Sequence, residues 1–186
     1  TDIVGLLSIQ EAKSGGQAKV VSSISVYNEF LSRRPDLVKV MAEPFCWTKH
    51  SDMNMDEKPY YESPILKFLD GMLCIAFGPK HIEKGHLLDE APRMTATQAE
   101  GIRLMEEICE DQHFEMTLER GDIQFANNAV ILHTRQSFQD WPELERRRRL
   151  WRLWLVQPEI RPTNPYILQW RNGVHPQGTK LKVTLT

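Results

Sequence analysis

The spacing of apolar residues makes the chain open on a strand. Ile3 to Ile9 is almost continuously apolar and too short for a buried helix. Ser14-Gly15-Gly16 interrupts it as a turn, and Lys19-Val20-Val21 resumes the extended pattern. The period then changes. Ser22 and Ser23 can each cap a helix, and Val26, Phe30 and Leu31 recur at helical spacing to predict one apolar face. Arg34-Pro35-Asp36 punctuates, with Pro35 suited to a first helical turn. A second short helix, Leu37 to Ala42, must end before Pro44 because the ring of proline blocks the preceding helical backbone.

Residues 45–49 read as a strand and the polar stretch 50–63 as a loop. Ile65–Leu69 and Met72–Phe77 flank Asp70-Gly71, the pairing that two positive φ angles in a tight hairpin turn require. Residues 78–93 show no periodicity and are predicted irregular. From Thr95 or Thr97 to about Cys109 the pattern is helical: Ile102, Leu104, Met105 and Ile108 mark an apolar face, and Glu100, Glu106, Glu107 and Glu110 stay in water. Short strands follow near 114–118, 122–126 and 129–133, separated by Arg120-Gly121-Asp122 and Asn127-Asn128. A long strand spans about 149–157, with Trp151 and Trp154 as core residues. The alternation Leu181-Lys182-Val183-Thr184-Leu185 predicts a strand at a sheet edge. Many short strands with two helical inserts predict a mainly β single domain over residues 1–186, a jelly roll or barrel with helices packed outside.

Composition narrows the function classes. A net charge of −2 over 186 residues gives no field to attract nucleic acid or an anionic membrane. No apolar run approaches the roughly 20 residues needed to span a bilayer, and no signal peptide opens the chain, so the expectation is a cytoplasmic protein with free, buried thiols. Cys46, Cys74 and Cys109 are too few and scattered for a disulfide framework or a cysteine-based zinc site. A homo-oligomer is compatible with this surface chemistry. Beginning inside a strand, without an initiator Met, the chain reads as the C-terminal part of a longer domain.

The chemistry concentrates in residues 121–155. His133 ends an apolar strand, and a loop leads to the run Arg146-Arg147-Arg148-Arg149 and then Leu150-Trp151-Arg152-Leu153-Trp154-Leu155. Alternation along a strand projects Arg148, Leu150, Arg152 and Trp154 to one side, whereas Arg146, Arg147 and Arg149 suit a solvated surface. Two guanidinium groups on one face of an otherwise apolar strand are costly to enclose unless an anion pairs with them. A dicarboxylate supplies that anion, and arginine presents a planar fork matched to carboxylate. The bland alternatives are a hydrogen-bonded core imidazole for His133 and a pairing of Arg152 with a nearby Asp or Glu.

Gly121-Asp122 followed by Asn127-Asn128, Leu132-His133-Thr134-Arg135 and the later Arg-rich strand resembles the C-terminal half of the TauD/TfdA, or taurine dioxygenase, family. Asp2-Ile3-Val4-Gly5-Leu6-Leu7, Lys13-Ser14-Gly15-Gly16, Val21-Ser22-Ser23, Arg34-Pro35-Asp36-Leu37 and Glu43-Pro44-Phe45 match in the same order. The resemblance covers most of residues 2–156. It implies a double-stranded β-helix, the jelly roll of clavaminate synthase-like proteins, holding Fe(II) on two histidines and one carboxylate and leaving positions for 2-oxoglutarate and O₂. It implies oxidation of a C–H bond in a small molecule, with 2-oxoglutarate converted to succinate and CO₂. His133 matches the distal iron ligand, Arg152 the anchor of the co-substrate's far carboxylate, and Arg148 a second arginine of the motif. Asn128 is a candidate substrate contact.

By the same resemblance the first His-x-Asp lies upstream of Thr1, although Thr1-Asp2 also fits the tail of such a motif. Ala18 stands where relatives often carry a co-substrate-binding Ser or Thr. His50-Ser51-Asp52 is formally a His-x-Asp too, but it falls in a polar loop rather than at the end of a core strand, and His113-Phe114-Glu115 stands only 20 residues before His133. His81 and His86, in a glycine-containing stretch, read as surface residues. Two readings from other classes stay open: a catalytically silent β-helix kept for binding or assembly, and a cupin-like small-molecule binder without oxygen chemistry.

Overall fold

The computed structural model describes residues 2–48, 58–155 and 157, and it is mainly β with helical inserts. Strand β1, Ile3–Gln10, lies at the centre of a three-stranded antiparallel sheet, flanked by β9, Ile123–Asn127, and β12, Arg149–Leu155. A second antiparallel sheet places β3, Ala18–Ser22, between β8, Phe114–Met116, and β10, Ile131–Arg135. Between them in sequence, β2 (Ser14–Gly15) pairs with β11 (Phe138–Gln139).

The helical inserts carry the main core. Ser22 caps α1, Ser23–Arg33, by accepting the Ser25 N–H, and Pro35 occupies the first turn of α2, Pro35–Met41. Thr95 and Gln98 form a reciprocal capping box at the start of α4, Ala96–Gln112. Val26, Phe30, Leu37, Met41, Ile102, Met105 and Ile108 pack together beneath β4 (Pro44–Thr48) and the hairpin β6–β7 (Leu66–Leu69, Met72–Ile75). Burying each such side chain contributes roughly 1.5–3 kcal/mol. Asp70 and Gly71 take φ of 49° and 76° in the hairpin turn, as that dipeptide requires.

Several expectations are corrected. Leu31 is exposed, whereas Val26 and Phe30 are the apolar residues of α1 that are fully buried. The predicted loop 50–63 contains β5, Tyr60–Pro64, which pairs with β4 through backbone groups that a polar composition does not reveal. The stretch predicted irregular holds α3, Pro79–Leu87. Its Gly85 lies so close to β4 that an added Cβ would stand 2.3 Å from the Cys46 carbonyl oxygen. His86 is buried rather than on the surface. Its Nε2 accepts the Cys46 N–H at 3.1 Å and its Nδ1 donates to the Pro92 carbonyl at 2.7 Å, which sets the tautomer. Of the three free thiols only Cys46 is fully buried.

Trp151 and Trp154 are exposed, at 62% and 43%. Trp151 shares the outer face of its sheet with Phe125 and Leu153, and no described layer covers that face. Among the described residues no helix is long and apolar enough to cross a membrane. The predicted strand 181–185 lies outside the described residues, as do His50 and Asp52.

Candidate active site

A cleft of about 500 Å³ opens between the two three-stranded sheets. The strand expected at 129–133 begins at Ile131, so His133 stands mid-strand in β10, opposite Val20 of β3, with its ring facing the cleft. From the other sheet, Arg148, Leu150 and Arg152 line the cleft together, as alternation along β12 requires. Leu6 of β1 pairs with Arg152 on one side and Gln124 of β9 on the other, so the three form one row across the sheet. Ala18 also lines the cleft, at the position following the Gly-Gly turn.

No Asp or Glu among the described residues lines this space. Among the described residues Arg152 has no ion pair and donates no side-chain hydrogen bond. Arg148 is half-buried, and its backbone N–H donates to Asp140 Oδ1 at 2.7 Å. Arg152 is exposed, so Arg148, although it follows directly on the solvated Arg146 and Arg147, is the more enclosed of the two. Arg146, Arg147 and Arg149 are exposed, as the run predicts.

The charges leave their mark on the titrating groups. Lost hydration, then the positive charges of Arg135 and Arg152, pull the Arg148 pKa below its ordinary value against the attraction of Asp140. His133 is open to the cleft mouth, yet partial desolvation and then the charge of Arg152 hold its pKa below the usual histidine value. Both effects favour the neutral ring, the form that can ligate a metal.

Two cleft residues escape the sequence reading. Arg135 lines the cleft two positions beyond His133. The signal was present, since residues i and i+2 of a strand share a face. Gln124 lines it with its Oε1 buried and without a partner, which nothing in the sequence announces. Asn128 sits in the turn after β9, its N–H donated to the Asp2 carbonyl at 2.9 Å, and does not line the cleft.

A bound dianion fits this wall, because it would meet guanidinium groups that no cleft carboxylate neutralises. A metal finds one imidazole here. Among the described residues no group of three His, Cys, Asp or Glu is placed to hold an ion.

Two antiparallel sheets enclosing such a cleft define a mainly β fold with helical inserts. The chain superposes on asparagine oxygenase in complex with Fe(II), hydroxyasparagine and succinate with a TM-score of 0.58, covering 81% of this chain and 44% of that one at 18% identity. The non-haem iron oxygenase OrfP in complex with Fe gives 0.55, at 17% identity over 82% of this chain and 45% of that one. These likenesses establish the fold. Residues 1–154 match the family model for taurine catabolism dioxygenase TauD, TfdA, and the chain belongs to that family. It is 32% identical to the taurine hydroxylase-like protein SAT17 of Stachybotrys chartarum over 85% of its length, and 25% identical to FR-33289 synthase of Streptomyces rubellomurinus over 83%. It spans 41% and 47% of those two relatives.

Proposed function

We propose that this chain forms the co-substrate-binding and distal iron-ligand part of a non-haem Fe(II)/2-oxoglutarate dioxygenase acting on a small molecule. The observation that carries the reading is a pair of guanidinium groups, Arg148 and Arg152, facing a cleft that no carboxylate lines among the described residues and sharing it with the imidazole of His133. In this reading the two sheets belong to one double-stranded β-helix, a jelly roll, residues 1–186 are the C-terminal part of one domain, and the site works in the cytoplasm.

The roles of the chain's own residues follow from their placement. His133 offers one nitrogen to Fe(II), and the other two ligands are a His-x-Asp outside the described residues, upstream of Thr1 rather than His50 and Asp52. When bound, the iron supplies the oxidation chemistry, in which O₂ and 2-oxoglutarate are consumed, succinate and CO₂ form and a substrate C–H bond is oxidised. Arg148 and Arg152 bind the dianion by charge-assisted hydrogen bonds and hold it along β12. Arg152 is the charge that reaches His133, whereas Arg148 lies beside Gly16. Leu6, Leu118 and Leu150 exclude water around these groups, which strengthens each electrostatic contact.

The test is spectroscopic. His133→Ala in the complete protein, including the segment that carries the His-x-Asp, abolishes the anaerobic Fe(II)/2-oxoglutarate charge-transfer absorption, and retention of that band would sink the assignment. His50→Ala and Asp52→Ala leave iron affinity nearly unchanged, and a large loss in either would move the remaining ligands to that pair.

A further inference from the structure

Arg135 and Arg148 come from different strands and repel one another, yet both reach the same cleft. Between them lies one aromatic ring. The guanidinium carbon of Arg135 is 4.3 Å from the centroid of Phe138, and that of Arg148 is 5.2 Å away. A ring face carries negative potential, so it attracts both cations.

The ring's position has a backbone cause. Phe138 pairs with Gly15, Lys13 N–H donates to the Gln139 carbonyl at 3.0 Å, Gly16 N–H to Ser137 at 3.1 Å, and Gln136 N–H to Gln17 at 2.9 Å. Glycine is required at the facing turn. Gly15 and Gly16 have φ of 73° and 84°, and a Cβ on Gly16 would lie 3.3 Å from both Arg148 Nε and Phe138 Cβ. The segment is thus anchored through its main chain, while the side chain of Phe138 is left to meet the arginines. Asp140, two residues on, fixes the Arg148 backbone by its 2.7 Å bond.

We propose that Phe138 is a positioning residue of the anion site: its ring spaces Arg135 from Arg148 and holds the Arg148 fork aimed at a carboxylate of the dianion. The inference rests on reading the cleft as the 2-oxoglutarate site. Without the ring, the half-buried Arg148 side chain samples other rotamers under the repulsion of Arg135. Binding must then restore the order that the ring supplies in advance.

The experiment is an anaerobic titration of 2-oxoglutarate into the full chain, with Kd, KM, kcat and thermal midpoint recorded for each variant. Phe138→Leu and Phe138→Met, of similar volume but without a ring, raise Kd and KM about 3- to 10-fold, the size of one cation–ring contact, and leave kcat in place. Phe138→Tyr, which keeps the ring, binds within about twofold of wild type. If both non-aromatic variants bind as tightly as wild type, or if Phe138→Tyr is as impaired as they are, the proposal is overturned. Arg148→Ala separates the layers. If it binds weakly while Phe138→Leu and Phe138→Met bind normally, only the role of the ring fails. If Arg148→Ala also binds normally, the reading of the cleft fails with it.

Discussion

Two pairs of arginines in this molecule meet opposite fates. At the seam between α1 and α4, Arg33 reaches Glu29 at 2.6 Å, Glu107 at 2.8 Å and Asp111 at 3.6 Å, and Arg34 is bonded to Asp36 at 2.7 Å and to Glu100. Hydrogen bonds to those carboxylates raise both guanidinium pKa values. In the cleft, Arg148 and Arg152 meet no side-chain carboxylate within bonding distance among the described residues, and the Arg148 pKa is lowered instead. Guanidinium cannot shed its proton to escape this. An arginine whose acids come from its own chain is structural, and one left facing a cleft without acids awaits an anion from outside.

Giving the cleft its own carboxylate breaks the contrast. Leu6 is the cross-strand neighbour of Arg152, so Leu6→Glu neutralises that guanidinium from within and repels the dianion. The expected loss of 2-oxoglutarate affinity is about 3–5 kcal/mol, roughly 100-fold or more, read by titration. An affinity within threefold of wild type would mean that the anion binds elsewhere.

Lys67 sharpens the contrast with a cation that is itself buried. Its buried ammonium donates to Ser63 Oγ at 2.9 Å and to the Pro64 carbonyl at 2.7 Å, and burial pulls its pKa down to about 8. The unfolded chain therefore holds this proton up to about pH 10.5 while the folded one releases it near 8. Lys67's contribution to stability is fully present above pH 10.5 and is lost as pH falls toward 8, by at most about 3 kcal/mol. Lys67→Met removes that slope, and denaturant midpoints at pH 8 and pH 10.5 measure it. Identical slopes in both proteins would place the ammonium in water.

The smallest effect belongs to the helix seam. Arg34→Ala lowers the thermal midpoint slightly, less so at high salt, and leaves 2-oxoglutarate affinity unchanged. A change in affinity would couple the seam to the cleft.

Local signals made much of this legible in the sequence. The apolar stripe announced α4, Asp70-Gly71 announced the β6–β7 hairpin, and the alternation that leads through β12 put Arg148 and Arg152 on one face. Long-range contacts hid the rest. α3 carries an internal glycine needed only because β4 crosses it, and His86 is buried by partners 40 and 6 residues away. The tryptophans of β12 misled because an apolar strand reads as core on both faces, whereas here one face meets the cleft and the other solvent. Arg135 was legible by spacing but stood outside the arginine-rich run that drew attention.

The most direct measurement is calorimetric titration of 2-oxoglutarate into wild type, Arg148→Ala and Arg152→Ala of the full chain under anaerobic conditions with Fe(II). Each substitution is expected to cost about 2–5 kcal/mol of affinity, on the order of 30-fold or more, with Arg148, the more enclosed, costing at least as much as Arg152. Thermal midpoints stay near wild type, because neither guanidinium has a carboxylate partner in the fold to lose. Wild-type affinity in both variants, together with a marked fall in stability, would make these arginines structural members like Arg33 and Arg34 and contradict the account.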